Sequence, residues 1–143
     1  MVITYSVLKI DHYDQMIDLW ERTRSDYRPK GRDTRENIQK QLKLSNILFL
    51  GAFDGNKLIG VIIGTSDGRK AWMNRLVVDP AYRRKKIATI LLEKTESFFQ
   101  QQGIEIFAGL IREENDISRT FFEKNGYRTH TIKYYSKKLT PDS

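Results

Sequence analysis

Four consecutive cations, Arg83 to Lys86, stand in the stretch YRRKKIA, directly before an apolar helical pattern that begins at Ile87. The first amides of a helix have no carbonyl partner within the helix, and the helix dipole adds roughly half a positive charge at that end. Cations at this position oppose the dipole unless an anion lies between them. A diphosphate meets this requirement better than a single carboxylate, although four solvated side chains would also account for the run.

The composition excludes several kinds of site. None of the 143 residues is cysteine, which rules out disulfides, a thiolate nucleophile and a cysteine-based zinc site. The two histidines, His12 and His130, are far apart in sequence, and we predict no metal. The chain has 25 Lys and Arg against 18 Asp and Glu, a net charge of +7, which suits nucleic acid, an anionic surface or a phosphorylated small molecule. We do not expect nucleic acid, because a helix-opening anion site already accounts for the densest cluster.

The bulk properties predict a single domain spanning residues 1–143. Hydrophobic residues make up 39% of the sequence, enough for a core of useful size. No apolar run is long enough to span a bilayer, and the first residues lack the pattern of a signal peptide. We therefore expect a cytoplasmic protein with no membrane partner.

Hydrophobic periodicity and turn residues predict the element order β-α-α-β-β-β-α-β-α-β-β, a mixed α/β sheet. A strand-helix-strand crossover should place its two strands in parallel, with the long helix on one face. The C-terminal part is expected to be extended and to contain two strands. The predicted strands are 2–8, 47–53, 58–65, 71–78, 104–111 and two within 127–139, and the predicted helices are 12–24, 34–43, 87–102 and 118–125.

Two segments resemble the GNAT acyltransferases. NRLVVDPAYRRKKIATILLEK resembles their coenzyme A-binding segment, whose loop reads Arg/Gln-x-x-Gly-x-Gly/Ala after a strand, and NDISRTFFEKNGYR resembles their second segment. Element order agrees over nearly the whole chain, and short prokaryotic members of unassigned acceptor look most similar. The resemblance implies a mostly antiparallel mixed sheet with a central, splayed parallel strand pair and about four helices.

The resemblance also implies an activity, the transfer of an acetyl group from acetyl-CoA to an amine of a small molecule or a protein. The pantetheine arm would lie in the gap between the splayed strands, and the diphosphate would lie on the loop amides, with Arg83 as a charged contact. Asn115 would bond the pantetheine side and Phe122 would pack near the thioester sulfur. The implied coenzyme contacts are Leu76, Val77, Val78, Arg83, Arg84, Lys85, Lys86, Ile87, Ala88, Asn115 and Phe122.

The chain departs from the family pattern at four positions. Lys86 stands where the family usually has its first glycine, which lets the backbone approach phosphates without a Cβ, and Arg84 stands where glycine is also frequent. Phe122 replaces the tyrosine that many members use as a general acid. Leu110, which we expect in the core, stands where some members carry a glutamate base. The sequence therefore assigns no catalytic acid or base.

Weaker candidates lie near the predicted site. For catalysis they are Glu113, Glu114, Tyr134 and Tyr135, and for the acceptor pocket Asp26 and Tyr27. Solvated carboxylates, packed tyrosines and a turn aspartate explain these residues equally well. Asn74 or Arg75, whichever faces inward on the central strand, could order a water.

Two readings of function follow from these departures. An N-acetyltransferase can work without a protein base, because positioning and carbonyl polarisation contribute much of the acceleration when a neutral amine attacks a thioester. The alternative is a GNAT-like module that binds acyl-CoA without turnover, which Phe122 and Leu110 favour. A homodimer through the C-terminal strands is compatible with the sequence.

Overall fold

The computed structural model describes residues 2–143 and contains one five-stranded sheet in the order β1-β2-β3-β4-β5. The strands are β1 (Ile3–Val7), β2 (Ile47–Asp54), β3 (Lys57–Ser66), β4 (Ala71–Val78) and β5 (Phe107–Ala108). The helices are α1 (Tyr13–Arg22), α2 (Arg35–Gln41), α3 (Ile87–Gln100) and α4 (Asp116–Lys124). Among the described residues, no helix has the length and apolar character needed to cross a bilayer.

The middle of the sheet is buried on both faces. β2 and β3 are almost continuously apolar, as expected for strands that are covered on both sides. α3 packs on one face through side chains such as Leu91 and Phe99, and α1 packs on the other through Trp20. Gly64 allows the close approach of α3, because a Cβ there would lie 2.7 Å from Phe99. A ligand site must therefore lie elsewhere, towards β4 and β5.

The predicted crossover is confirmed. β1 to β4 are antiparallel neighbours, and β5 returns parallel to β4 after α3. However, β5 is much shorter than the predicted strand 104–111, because only two pairs form, Ala71 with Phe107 and Trp72 with Ala108. The parallel pair also lies at an edge of the sheet rather than at its centre.

The two C-terminal strands predicted within 127–139 are wrong, because the structure has no strand after α4. Tyr127 packs against Phe122, and the following residues are extended and exposed. A strand needs the backbone of a neighbouring strand for its hydrogen bonds, and among the described residues no backbone group of 128–139 forms one with another segment. The sequence of this segment has the alternation of a strand, but the described residues provide no neighbouring strand for it.

A buried carboxylate, Asp79, joins α1 to the connection between β4 and α3. Asp79 caps the single 3-10 turn Pro80–Tyr82, accepting a hydrogen bond from the Ala81 amide at 2.9 Å. It also accepts a hydrogen bond from the Arg22 guanidinium of α1. Burial alone would raise the pKa of Asp79, but the Ala81 amide and Arg22 outweigh it and hold this pKa below 3.8. The charged form of Asp79 therefore stabilises the fold.

We expect Asp79→Ala to lower the free energy of unfolding by roughly 2–4 kcal/mol at pH 7, because it removes a cap and a charged hydrogen bond in one step. The pKa of Asp79 is lower in the folded than in the unfolded state. The stabilisation is therefore complete above the ordinary pKa near 3.8 and is lost as the pH falls through the folded value. Urea denaturation at pH 7 and at a series of acidic pH values measures both effects.

Asp18→Ala is the matched control, because Asp18 pairs with the same Arg22 at 2.9 Å but its side chain is 69% exposed. An exposed pair of this kind contributes about 0.5 kcal/mol or less. If both variants lost the same free energy of unfolding, Asp79 would not stabilise the fold more than an exposed partner of Arg22 does.

Candidate coenzyme and acceptor site

A bulge at Arg75 bends β4 where it leaves β5. Ile63 pairs with Asn74 and Val61 pairs with Val77, so a single β3 residue opposes two residues of β4. Arg75 has a φ of 48°, in the left-handed region that non-glycine residues rarely adopt. A bulge increases the local twist and redirects a strand. Beyond Trp72, β4 and β5 no longer pair, so the β5 side of β4 has no strand partner there among the described residues; this unpaired side is called the gap below.

The bulge also decides which backbone groups face this gap. The Asp79 amide donates to the carbonyl of Ile59 in β3 at 2.8 Å, and Val77 pairs with Val61, also in β3. Because backbone groups alternate along a strand, the N–H and C=O groups of Leu76 and Val78 point the other way, toward the β5 side. Of the three predicted strand contacts, Leu76 and Val78 offer their backbone to the gap, whereas Val77 offers its backbone to β3.

An ion pair that the sequence did not suggest holds the bulge. Arg75 Nη2 lies 2.9 Å from Asp33 Oδ2, and its guanidinium lies 4.6 Å above the Trp20 ring. Asp33 also accepts a hydrogen bond from the Arg28 amide at 2.5 Å, and its carbonyl accepts one from the Tyr13 hydroxyl at 2.7 Å. The loop between α1 and α2 is therefore fastened to β4 at the point where the gap begins.

The loop after β4 presents free amides at the N-terminus of α3. The first backbone hydrogen bond of this helix joins the Ile90 amide to the Lys86 carbonyl at 3.0 Å. Within the described residues, no amide from Arg84 to Thr89 donates to a carbonyl. The cations Arg83 to Lys86 are exposed, and none of them forms an ion pair in the part of the chain that the structure describes. Unpaired amides and cations at one helix end form an anion site.

This loop adopts a glycine-like backbone without glycine. Arg84 has a φ of 67° and Lys86 a φ of 61°; Lys86 stands at the first glycine of the GNAT pattern, and Arg84 at a position where glycine is also frequent. Both conformations are left-handed, which costs an L-residue about 1–2 kcal/mol. The loop borders a cavity of about 210 Å³ whose lining is Val78, Tyr82, Arg83, Arg84, Lys86, Ile87, Ala88, Thr89 and Phe121. Lys85 does not line it.

Asn115 and Phe122 have structural contacts of their own. Asn115 Oδ1 caps α4 by accepting a hydrogen bond from the Ser118 amide at 3.1 Å. Phe122 is buried and lies edge-on against Phe121 and Tyr127. Its ring comes within 4.0 Å of where a Cβ on Gly109 would be, so it lies where β4 and β5 begin to diverge.

The weak catalytic candidates are exposed. Glu113 and Glu114 lie in the loop between β5 and α4, and neither carboxylate has an ion pair or hydrogen bond among the described residues. Tyr134 and Tyr135 lie in the C-terminal segment, and their hydroxyls are likewise without a hydrogen bond in residues 2–143. The expectation that Leu110 lies in the core is wrong: it is 61% exposed, because β5 ends at Ala108 and Leu110 follows in a loop.

Of the two acceptor-side candidates, Asp26 forms a bridge between two loops and Tyr27 packs against α1. Asp26 contacts Arg28 at 3.1 Å and Arg112 at 3.3 Å, which ties the α1–α2 loop to the segment after β5. The Tyr27 hydroxyl donates to Glu21 at 2.7 Å, and its ring centroid lies 6.1 Å from that of Trp20. Since Arg112 directly precedes Glu113 and Glu114, three carboxylates lie near this bridge.

Two tyrosines donate hydrogen bonds to carboxylates: Tyr82, beside the loop 83–88 that is called the coenzyme loop below, and Tyr127, after α4. The Tyr82 hydroxyl donates to Asp54 at 2.5 Å, and this hydrogen bond raises the pKa of Tyr82. The Tyr127 hydroxyl donates to Glu96 at 2.6 Å, and burial followed by Glu96 raises the pKa of Tyr127. Both phenols stay protonated near neutral pH, so neither can serve as a base.

Comparison with known proteins agrees with this geometry. The profile of the Acetyltransferase (GNAT) family matches residues 13–127. The chain belongs to the GNAT family. Its fold class and its class of activity, an N-acetyltransferase with acetyl-CoA as donor, are therefore confirmed. The expected absence of a metal and the cytoplasmic location stay predictions.

Three relatives place the chain within this family. It is 28% identical to an acetyltransferase of Pectobacterium atrosepticum over 95% of both chains. It is 32% identical to a spermidine N(1)-acetyltransferase of Thermoplasma acidophilum, over 87% of this chain and 73% of that one. The crystal structure of the PaiA N-acetyltransferase from Thermoplasma acidophilum in complex with coenzyme A superposes with a TM-score of 0.81 at 26% identity, covering 93% of this chain and 94% of the other.

Alanine usually gives a more stable protein than glycine, but the left-handed conformation of Lys86 predicts the opposite order at this position. Lys86→Gly should be about 1 kcal/mol more stable than Lys86→Ala, because only alanine has to bear a Cβ at positive φ. Urea denaturation of both variants measures the difference. At Lys85, whose φ is not positive, alanine should be at least as stable as glycine. The same order at both positions would contradict the loop conformation.

Proposed function

We propose that the chain transfers the acetyl group of acetyl-CoA to a primary amine of a small polyamine. The observation that carries the donor side is that the gap beside Leu76 and Val78 leads to a loop with free amides from Arg84 to Thr89. An extended ligand arm with a diphosphate at one end fits both features together. A single carboxylate would use the loop and leave the gap without a role.

The residues of the gap and loop have distinct proposed roles. The backbone groups of Leu76 and Val78 would pair with the amide groups of the pantetheine arm, much as a missing strand would. The amides from Arg84 to Ala88 would bind the diphosphate, with Arg83 as a charge-assisted partner. Asn115 keeps its side-chain NH₂ for the ligand while its oxygen caps α4.

The acceptor side supports a cationic substrate. Glu113 and Glu114 follow Arg112 directly in sequence and their carboxylates have no ion pair among the described residues, whereas Asp26 is already paired with Arg28 and Arg112. A polyamine carries several ammonium groups that such carboxylates attract. The similarity to a spermidine N(1)-acetyltransferase supports the same class of acceptor.

The chemistry places little demand on titrating side chains. Acetyl-CoA supplies an activated thioester, and the neutral acceptor amine is already a sufficient nucleophile. Phe122 and Leu110 cannot exchange a proton, so the amine proton would pass to water and the thiolate would leave directly. The chain would contribute orientation and fixed dipoles, which can supply much of the acceleration of such a reaction.

A thiol-release assay tests the proposal directly. The chain has no cysteine, so a thiol reagent reports only free coenzyme A. We expect release with acetyl-CoA plus spermidine or a similar polyamine, and less release with an amine that carries a single positive charge. Coenzyme binding without release for any of a panel of amines and peptides would favour the non-catalytic module instead.

Arg83→Ala should weaken coenzyme A binding about tenfold or more, since a charge-assisted hydrogen bond contributes about 1.5–3 kcal/mol. Titration calorimetry with coenzyme A at two salt concentrations measures the loss and its decrease with added salt. Arg69→Ala is the matched control: it removes the same charge in the turn before β4, at the opposite end of that strand. Equal dissociation constants for the two variants would mean that Arg83 and its loop do not bind coenzyme A.

The pH–rate profile should follow the acceptor rather than the protein. With two acceptors whose amines differ in pKa, we expect the midpoints of the profiles to differ by the same amount, because only the neutral amine reacts. Steady-state rates of thiol release across the pH range provide the profiles.

A common midpoint for both acceptors would mean that a protein group titrates. The residues to substitute first would then be Glu113, Glu114, Tyr134 and Tyr135. The raised pKa values of Tyr82 and Tyr127 exclude these two as the base near neutral pH.

A further inference from the structure

The coenzyme loop contains two left-handed residues whose conformation needs support from outside the loop. Arg84 and Lys86 have φ values of 67° and 61°, which are unfavourable for residues that carry a Cβ. Among the described residues, no backbone or side-chain group of Arg84 or Lys85 forms a hydrogen bond. A strained conformation persists only where the surrounding structure fixes it. The loop must therefore be held by the residues at its two ends.

The two ends of the loop are held in different ways. At the C-terminal end, Ile87 begins α3 and is buried in the core. At the N-terminal end, Tyr82 directly precedes Arg83 and lines the cavity that the loop borders. The Tyr82 amide donates to the Asp79 carbonyl at 2.9 Å, and the Tyr82 hydroxyl donates to Asp54 at 2.5 Å. These two hydrogen bonds fix the position and the direction of the chain where the loop begins.

The partner of the Tyr82 hydroxyl lies on a rigid part of the fold. Asp54 is the last residue of β2 and is paired with both β1 and β3. The Leu58 amide, just after the hairpin turn, donates to Gln15 Oε1 at 2.9 Å, which fastens the hairpin to α1. Lys57 Nζ lies 5.8 Å from the centroid of the Tyr82 ring, a cation–π contact from the same hairpin. The β2–β3 hairpin can therefore act as a fixed support for the loop.

We propose that Tyr82, held by Asp54, is the positioning residue that keeps this glycine-free loop in its left-handed conformation before coenzyme A binds. A loop with glycine at 84 and 86 reaches the same conformation without a Cβ penalty, so it has less need of such a support. Without the support, Arg84 and Lys86 would relax to ordinary φ values, and binding would have to supply the cost of reordering them. The inference rests on the proposed function in one respect, that this loop binds the diphosphate of coenzyme A.

Tyr82→Phe removes the hydroxyl and keeps the ring that lines the cavity. We expect the dissociation constant of coenzyme A, measured by titration calorimetry, to rise about fivefold or more, because a hydrogen bond to a charged group is lost. The KM for acetyl-CoA should rise with it while kcat changes less than about twofold, since Tyr82 supports the loop and does not take part in the chemistry. A variant that is merely less stable would not separate KM from kcat in this way.

Tyr127→Phe is the matched control. It removes another hydroxyl that donates to a carboxylate, that of Glu96 at 2.6 Å, and Tyr127 does not line the cavity of the loop. The dissociation constant of coenzyme A should stay within about twofold of that of the unmodified chain. An equal loss of affinity in the two tyrosine variants would reduce the role of Tyr82 to general stability.

Substitutions of Asp54 test the hydrogen bond from its other end. Asp54→Asn keeps an oxygen that can accept from the Tyr82 hydroxyl, so it should retain most of the affinity for coenzyme A. Asp54→Ala should weaken binding as much as Tyr82→Phe does. The two substitutions Asp54→Ala and Tyr82→Phe combined should be no worse than either alone, because both remove the same hydrogen bond.

The link to the missing glycines is tested in a chain that carries Arg84→Gly and Lys86→Gly. Adding Tyr82→Phe to that chain should change its dissociation constant for coenzyme A less than about twofold, because the glycine loop needs no support. The loss of two charges affects both members of this comparison equally. If Tyr82→Phe had the same effect with and without the glycines, Tyr82 would not act on the strain of the loop, and the proposal would be wrong.

Arg83→Ala separates a failure of this inference from a failure of the proposed coenzyme site. If Arg83→Ala weakens coenzyme A binding and Tyr82→Phe does not, the loop binds the coenzyme but does not depend on Tyr82, and only the positioning role is overturned. If neither variant changes the dissociation constant, the loop is not the coenzyme site, and both proposals fail together. Weakening by both variants, with rescue by Asp54→Asn and loss of the Tyr82 effect in the glycine chain, is the expected result.

Discussion

The buried pair between Arg75 and Asp33 is the constraint on which the candidate site depends. A left-handed arginine within a strand costs about 1–2 kcal/mol on its own, and it persists here because Asp33 and the Trp20 ring hold its guanidinium. The bulge at Arg75 reverses the alternation of β4. Without it, Val77 rather than Leu76 and Val78 would turn its backbone toward the gap.

A second buried carboxylate fixes the other end of the same short segment. Asp79 caps the turn that leads into the coenzyme loop, and its partner Arg22 comes from α1. Asp33 comes from the loop that follows α1. The segment from Leu76 to Val78 therefore lies between two ion pairs, Arg75 with Asp33 and Asp79 with Arg22. Their partners come from α1 and the loop after it, and α1 itself would not touch the coenzyme. The pair between Asp33 and Arg75 thus connects the α1–α2 loop to β4, the strand that would hold the donor.

The sequence predicted the features that depend on local pattern. β4 has the predicted bounds, α3 begins at the predicted Ile87, and the cations Arg83 to Lys86 lie at its N-terminus. Features that depend on a distant partner could not be predicted in this way. The pair of Asp33 with Arg75 joins residues 42 positions apart, and no local pattern at either residue indicates that the two meet. β5 and the C-terminal segment 128–139 show the same limit, because an alternating pattern defines a strand's faces but not the strand beside it.

The departures from the glycine pattern have a physical consequence for binding. A loop with glycine at 84 and 86 reaches the left-handed conformation without strain, whereas Arg84 and Lys86 reach it at a cost and bring two more charges to the same helix end. Charge attracts a diphosphate over a longer range than amides do, but salt screens it. Relative to glycine at 84 and 86, this loop therefore has a higher conformational cost and a stronger electrostatic attraction for an anion. If the proposed reaction takes place at this site, Phe122 and Leu110 cannot exchange a proton in it, and holding the donor firmly would be the principal contribution of the loop. A strained but highly charged loop is consistent with an enzyme that relies on positioning rather than on acid–base chemistry.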